Sequence, residues 1–112
     1  MIPDPRVVAL ILELDRPKRG VDLEGLYCYE GKPAKIPTST KYKLLRRLEE
    51  LGYVELVESV DRRSKYYKLT GKGVEFRERL LRALSRVHKA EELCSLGVHP
   101  KTFRRASNSA RL

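Results

Sequence analysis

Apolar positions along this chain fall into blocks of different period, separated by short polar or turn-forming stretches. Val7, Val8, Leu10, Ile11, Leu12 and Leu14 form a broad stripe, opened by Pro3 and Pro5 and ended by Arg16-Pro17. This predicts a first helix over about residues 4–15, buried on much of its surface. Lys18-Arg19-Gly20 reads as a turn and Val21 as one residue of a short edge strand. Asp22 is then a plausible N-cap for a short second helix carrying Leu23, Leu26 and Tyr27, which Gly25 weakens by roughly 1 kcal/mol relative to Ala. Glu30 to Pro37, with Gly31 and two prolines, is expected to be a loop.

Leu44, Leu45, Leu48 and Leu51 recur at three- and four-residue spacing, one face of a helix. Thr38 or Ser39 is its expected N-cap and Gly52 its stop. After Gly52 the period changes to two. Val54, Leu56 and Glu58 point one way, and Tyr53, Glu55 and Val57 the other. A polar turn, Asp61-Arg62-Arg63-Ser64, and a second strand, Lys65 to Leu69, complete a β-hairpin. Thr70 is the expected N-cap of a long helix over about 71–96, with Gly97 and Pro100 beyond its end. Residues 98–112 have no acidic residue and several small polar ones, and are expected to form a basic, flexible tail. The fold class expected is α+β, mainly α, with a two-stranded hairpin and a long C-terminal helix. Residues 1–97 would be one domain, consistent with 112 residues in all.

Composition sharpens this picture. The net charge of +9 attracts polyanions, and counterion release is the main non-specific term in DNA binding. A ribosomal protein or an anionic-membrane binder would carry similar charge. Between Lys32 and Arg47 stand six basic residues and no acidic one, whereas Glu49 and Glu50 follow only at the helix end. The longest apolar run, Val7 to Leu12, is too short for a membrane span or a signal core, so a cytoplasmic protein is expected. There is no Gln and one Asn, beside abundant Lys, Arg and Glu, a bias that points to a thermophilic source, archaea included. Cys28 and Cys94 lie far apart, in no metal-ligand pattern. They are expected to be reduced, partly buried thiols, with a disulfide as the alternative in a hyperthermophile.

The stretch S-T-K-Y-K-L-L-R-R-L-E-E-L-G-Y-V (Ser39 to Val54), a charged hairpin, and then L-T-G-K-G (Leu69 to Gly73) resemble the MarR and PadR groups of winged helix-turn-helix transcriptional regulators. The resemblance covers about Thr38 to Glu78 well and the N-terminal part in outline. It implies a recognition helix ending in a Leu-Glu-Glu-x-Gly turn, a basic wing, and a C-terminal helix that often makes the dimer. The chain departs from the pattern at Lys41, where an apolar residue is usual and whose stem must lie along the core edge. The segment Glu30 to Pro37 is also longer than the usual turn at that point.

A groove-reading helix contacts bases from its first turns while its far half anchors in the core. The candidate recognition-helix residues are therefore Ser39, Thr40, Lys41, Tyr42, Lys43, Arg46 and Arg47. The candidate wing residues are Arg62, Arg63 and Lys65, where a tip arginine can enter the minor groove. Charged sheet edges also discourage aggregation, which is the plainer role for the same residues. Tyr66 and Tyr67 read as packing residues. The wide stripe with Val74, Leu81, Leu84 and Val87 is expected to be a homodimer seam, unless the helix folds back over the first helix. The expected partner is double-stranded DNA; no residue set marks a small-molecule effector, a cofactor or a metal. His88 and His99 have no carboxylate or thiol at triad or metal spacing, and no enzyme is expected. A protein-interaction winged helix and an RNA- or ribosome-associated protein are the competing readings.

Overall fold

Asp4 opens the first helix, α1 (Pro5–Glu13), by accepting a hydrogen bond from the Arg6 amide at 2.9 Å. A computed structural model describes residues 4–61 and 63–110 of the chain. Helix α1 is central: Val8, Ala9, Leu10, Ile11 and Leu12 are all buried, so the helix has packing partners on nearly every side. Leu10, Ile11 and Leu14 join Leu23, Ile36, Leu45, Leu48, Val54 and Leu69 in one core. Val8 and Leu12 join Leu84, Leu93, Val98 and Ala106 in a second. Burial of each large side chain stabilises the fold by roughly 1.5–3 kcal/mol, so α1 holds both cores together.

The edge-strand residue is Lys18 rather than Val21. It exchanges both backbone hydrogen bonds with Tyr67, at 3.0 and 2.7 Å, while Val21 is exposed. The short second helix expected after Asp22 is absent. One 3-10 turn (Gly20–Asp22) is followed by strands β1 (Leu26–Tyr29) and β2 (Lys32–Lys35), which pair antiparallel. The physical reason lies in β-favouring residues at Leu26 to Tyr29 and in a two-residue turn. Glu30 (φ 51) and Gly31 (φ 77) both take positive φ, as the commonest tight hairpin turn requires. The expected loop Glu30 to Pro37 is thus largely the returning strand. Glu13 clamps the entry to this hairpin, its carboxylate accepting from the Glu24 and Gly25 amides at 2.8 Å each.

Helix α2 (Thr38–Glu50) starts after Pro37, which takes the N-cap position expected for Thr38 or Ser39. Strands β3 (Val54–Glu58) and β4 (Lys65–Leu69) form the second antiparallel pair, with Val54 opposite Leu69 and Leu56 opposite Tyr67. Helix α3 (Gly71–Leu84) begins as expected at Thr70, whose hydroxyl accepts from the Gly73 amide at 3.1 Å. Gly73 lies under the Tyr53 carbonyl, where an added Cβ would stand 2.1 Å from the oxygen. Lys72 donates to the Leu51 carbonyl at 2.9 Å, tying the start of α3 to the end of α2.

The expected single helix over 71–96 is broken. Helix α3 ends at Leu84, and α4 (Ala90–Ser95) follows after a turn. The break lets Leu84, Val87 and Leu93 all reach the second core, which one straight rod could not do. The expected flexible tail is instead helix α5 (Pro100–Ala110). Pro100 starts this helix rather than stopping the previous one, since a proline's missing N–H costs nothing at a first helical position. Thr102 and Ala106 are buried and Phe103 packs on the second core, leaving Lys101, Arg104 and Arg105 exposed. Arg77 knits the helices together, donating to the Leu12 carbonyl at 3.1 and 3.2 Å and to Ala106 at 3.5 Å. Burial lowers its pKa, with Asp15 opposing.

Two further expectations change here. Cys28 and Cys94 form a disulfide rather than two reduced thiols, because β1 and α4 bring their Cα atoms to 5.3 Å. Of the dimer-seam residues, Leu84 is buried and Leu81 and Val87 pack on the second core. That stripe is covered by α1, α4 and α5 of the same chain, and only Val74 remains exposed. The architecture is α+β and mainly α, with five α-helices and two two-stranded sheets among the described residues. None of these helices is long and apolar enough to cross a membrane.

Candidate nucleic-acid interface

Helix α2 divides into two faces. Leu45 and Leu48 anchor it in the first core, and Leu44 packs against that core's edge. On the opposite side Ser39, Tyr42, Lys43, Arg46 and Arg47 are exposed, while Thr40 is half-buried. The exposed cations precede Glu49 and Glu50 along the helix, but Glu49 shares the groove with them, so the charge segregation read from the sequence holds along the helix and not fully across its exposed face. Arg47 turns toward Glu50, at 3.6 Å.

Lys41 behaves differently from its expected place in this set. Only 8% of it is exposed, and its ammonium group donates to the Leu23 carbonyl at 3.1 Å. It also stands 5.5 Å from the centre of the Tyr42 ring. A buried charge demands a partner, and the Leu23 carbonyl provides one. Lys41 therefore pins the chain before β1 to α2 and does not face a groove. The lysine at this position is a tether.

Between α2 and the β3–β4 hairpin runs a groove of about 370 Å³, with Ser39, Tyr42, Lys43, Arg46 and Glu49 on one wall and Leu56 and Tyr67 on the other. An adjoining hollow continues toward the hairpin tip past Arg19, Arg63 and Lys65. Burial pushes the Tyr67 phenol up, Tyr42 and Glu49 add to the shift, and Arg46 opposes it. Tyr67 stays neutral at physiological pH and presents an uncharged wall to the groove. Tyr66 and Tyr67 are both half-buried, as their reading as packing residues implies.

The hairpin tip is ordered by Asp61, which accepts from the Ser59 hydroxyl and from the Arg63 amide. Those two hydrogen bonds hold its carboxyl below the usual range. Arg63 and Lys65 are exposed beside the groove, and Arg62 lies outside the described residues. The structure thus brings Ser39, Tyr42, Lys43, Arg46, Arg63 and Lys65 around one continuous concavity. Arg19 joins them, although its segment reads from sequence only as a turn. The signal for it is the basic pair Lys18-Arg19 placed just after the first helix.

Residues 34–73 match the model of a winged helix DNA-binding domain family. That segment runs from the end of β2 through α2 and the hairpin into the start of α3, and so holds most of the concavity. No curated protein and no solved structure matches the chain.

Proposed function

We propose that this winged helix DNA-binding domain is a sequence-specific transcriptional regulator, with α2 in the major groove of duplex DNA and the β3–β4 wing on the adjoining backbone or minor groove. The observation that carries the reading is the joint exposure of Tyr42, Lys43 and Arg46 on α2, opposite Arg63 and Lys65 on the wing. A helix set in this way offers donors to base edges from its first turns, and the wing cations meet phosphates. Ser39 and Tyr42 supply hydroxyls, Lys43 and Arg46 supply charged donors, and Arg46 has the fork geometry that suits guanine. The wider placement among MarR- and PadR-like regulators rests on the resemblance of Ser39 to Val54, the charged hairpin and the Leu69 to Gly73 step taken together.

The homodimer expected from the apolar stripe moves to a different surface in this reading. Leu81, Leu84 and Val87 serve the chain's own second core, so a second copy would meet α3 along its outer side around Val74. Binding to a duplex as a function of salt tests the proposal. Wild type is expected to lose affinity steeply as salt rises, and a Lys43→Ala/Arg46→Ala variant to lose both sequence preference and slope. Equal binding by the two proteins at every salt concentration would remove α2 from the interface.

A further inference from the structure

The ordered position of helix α5 brings a second group of cations together, at the edge of a hollow that Glu13, Asp15, Asp22 and Glu24 also line. Glu24, between the 3-10 turn and β1, faces three cations from two distant parts of the chain. Arg105 of α5 donates to its Oε2 at 2.8 Å, and Lys101 of α5 and Lys35 of β2 each stand 3.9 Å from its Oε1. The Lys35 and Lys101 ammonium groups are therefore no more than twice that distance apart. Both are well exposed, at 66% and 48% of the side chain. Helix α5 carries no acidic residue, and neither does the chain from β2 to Arg47.

This surface adjoins the recognition helix. Lys35 is three residues before Thr38, the first residue of α2, which places the two Cα atoms at most about 11 Å apart. Duplex DNA carries one phosphate charge per roughly 1.7 Å of its axis, so on the order of six phosphates pass within that distance. We propose that Lys35, Lys101 and Arg105 form a second phosphate-contacting surface for duplex DNA, with Glu24 as the counter-charge that holds the cations together until phosphate replaces it. This rests on the reading of α2 as the groove-binding helix and adds a contact near its N-terminal end.

The exchange needs little driving force. Exposed ion pairs contribute little, and at 3.9 Å the two lysines are held by charge rather than by hydrogen bonds. Glu24 can also be altered without disturbing the hairpin entry, since Glu13 secures the Glu24 and Gly25 backbone amides independently.

The test measures affinity for a short, mixed-sequence, fluorescein-labelled duplex across a salt series. Circular dichroism and thermal melting are recorded for each protein to confirm folding. Glu24→Gln is expected to bind about threefold or more tighter than wild type at low salt, because one anion leaves the surface while three cations stay. Lys35→Ala/Lys101→Ala is expected to bind more weakly, with a log–log salt slope shallower by about 2, near 0.9 for each phosphate no longer neutralised. Arg86→Ala/Lys89→Ala removes two exposed cations outside this surface and is expected to leave the slope near that of wild type. An equal loss of slope in the Arg86/Lys89 variant would reduce the effect to net charge and overturn the proposal. Unchanged affinity and slope in both the Glu24 and the Lys35/Lys101 variants, while Lys43→Ala/Arg46→Ala still weakens binding, would overturn this surface alone. A wild-type protein without salt-dependent duplex affinity would overturn it together with the reading of α2.

Discussion

The ring of Tyr42 lies directly on Gly20: a Cβ added at position 20 would stand 2.5 Å from the ring's Cε1 and 2.6 Å from its hydroxyl. The 3-10 turn before β1 thereby sets where α2 presents its aromatic side chain. A glycine here gives the ring a flat seat, and any larger residue must displace it.

Gly20→Ala is therefore expected to push the Tyr42 ring into the α2–wing groove, costing about 1–3 kcal/mol by overpacking. Duplex affinity should fall several-fold with it. In a Tyr42→Ala background the same change should cost little, since nothing remains to clash. Urea unfolding of the four proteins in this cycle gives the coupling directly. Additive effects of the two substitutions would show that the contact does not matter.

Lys41 tests the difference between a tether and a DNA contact. Lys41→Met keeps the stem and removes the donor, leaving the Leu23 carbonyl without the ammonium group. Stability should drop by about 1–3 kcal/mol. The salt slope of duplex binding should stay unchanged, because this charge does not reach a phosphate. A slope reduced by about one unit at unaltered stability would return Lys41 to the interface.

The bond between Cys28 and Cys94 spans a sequence separation of 66 residues. For a loop of that size the chain-entropy contribution is about 4 kcal/mol. It also joins β1 to α4, beside the Cys28 amide that donates to the Gly97 carbonyl at 2.9 Å. Addition of a thiol reductant, or a Cys28→Ala/Cys94→Ala variant, is expected to lower the urea midpoint markedly. Amide exchange should rise first in β1, β2 and α4. Identical midpoints for oxidised and reduced protein would contradict this.

Stability should also fall with acid, in two windows. His99 has a lowered pKa, mainly from burial and then from Lys101, and its Nδ1 accepts from the Lys101 amide at the start of α5. The folded state thus favours the neutral ring. Its contribution is full above the ordinary value of 6.5 and is lost as pH falls from there through the folded pKa. Burial raises the Glu24 carboxyl, but Arg105, Lys101 and Lys35 outweigh it and hold the group below 4.5. That contribution is present above 4.5 and lost as pH falls through the lower folded value. Urea titrations from pH 7.5 to 3.5 should show both declines. His99→Asn, which keeps a capping acceptor, should flatten the upper one only.

Much of the site is legible in the chain itself. The leucine spacing of α2 places Leu45 and Leu48 inward and Tyr42, Lys43 and Arg46 outward, whatever the helix packs against. The period of two in β3 and β4, and the Thr70 cap of α3, are equally local, and the structure has both strands and starts α3 at that cap. Lys41 falls on the other side of that division from the one its charge suggests, because its helical position turns it inward.

Sequence by itself determined the elements whose residues agree with one another over a few turns: α1, α2, the wing, the start of α3 and the basic charge along α2. Local periodicity and capping encode these, since each depends on residues within about four positions. Tertiary structure decided the rest. Cys28 found Cys94 because β1 lies against α4. The stripe at Leu81, Leu84 and Val87 showed that the chain must cover an apolar face, without showing with what. Residues from Leu93 to Ala106 cover it, and burying that face against the same chain turned an expected dimer seam and a loose tail into one packed core.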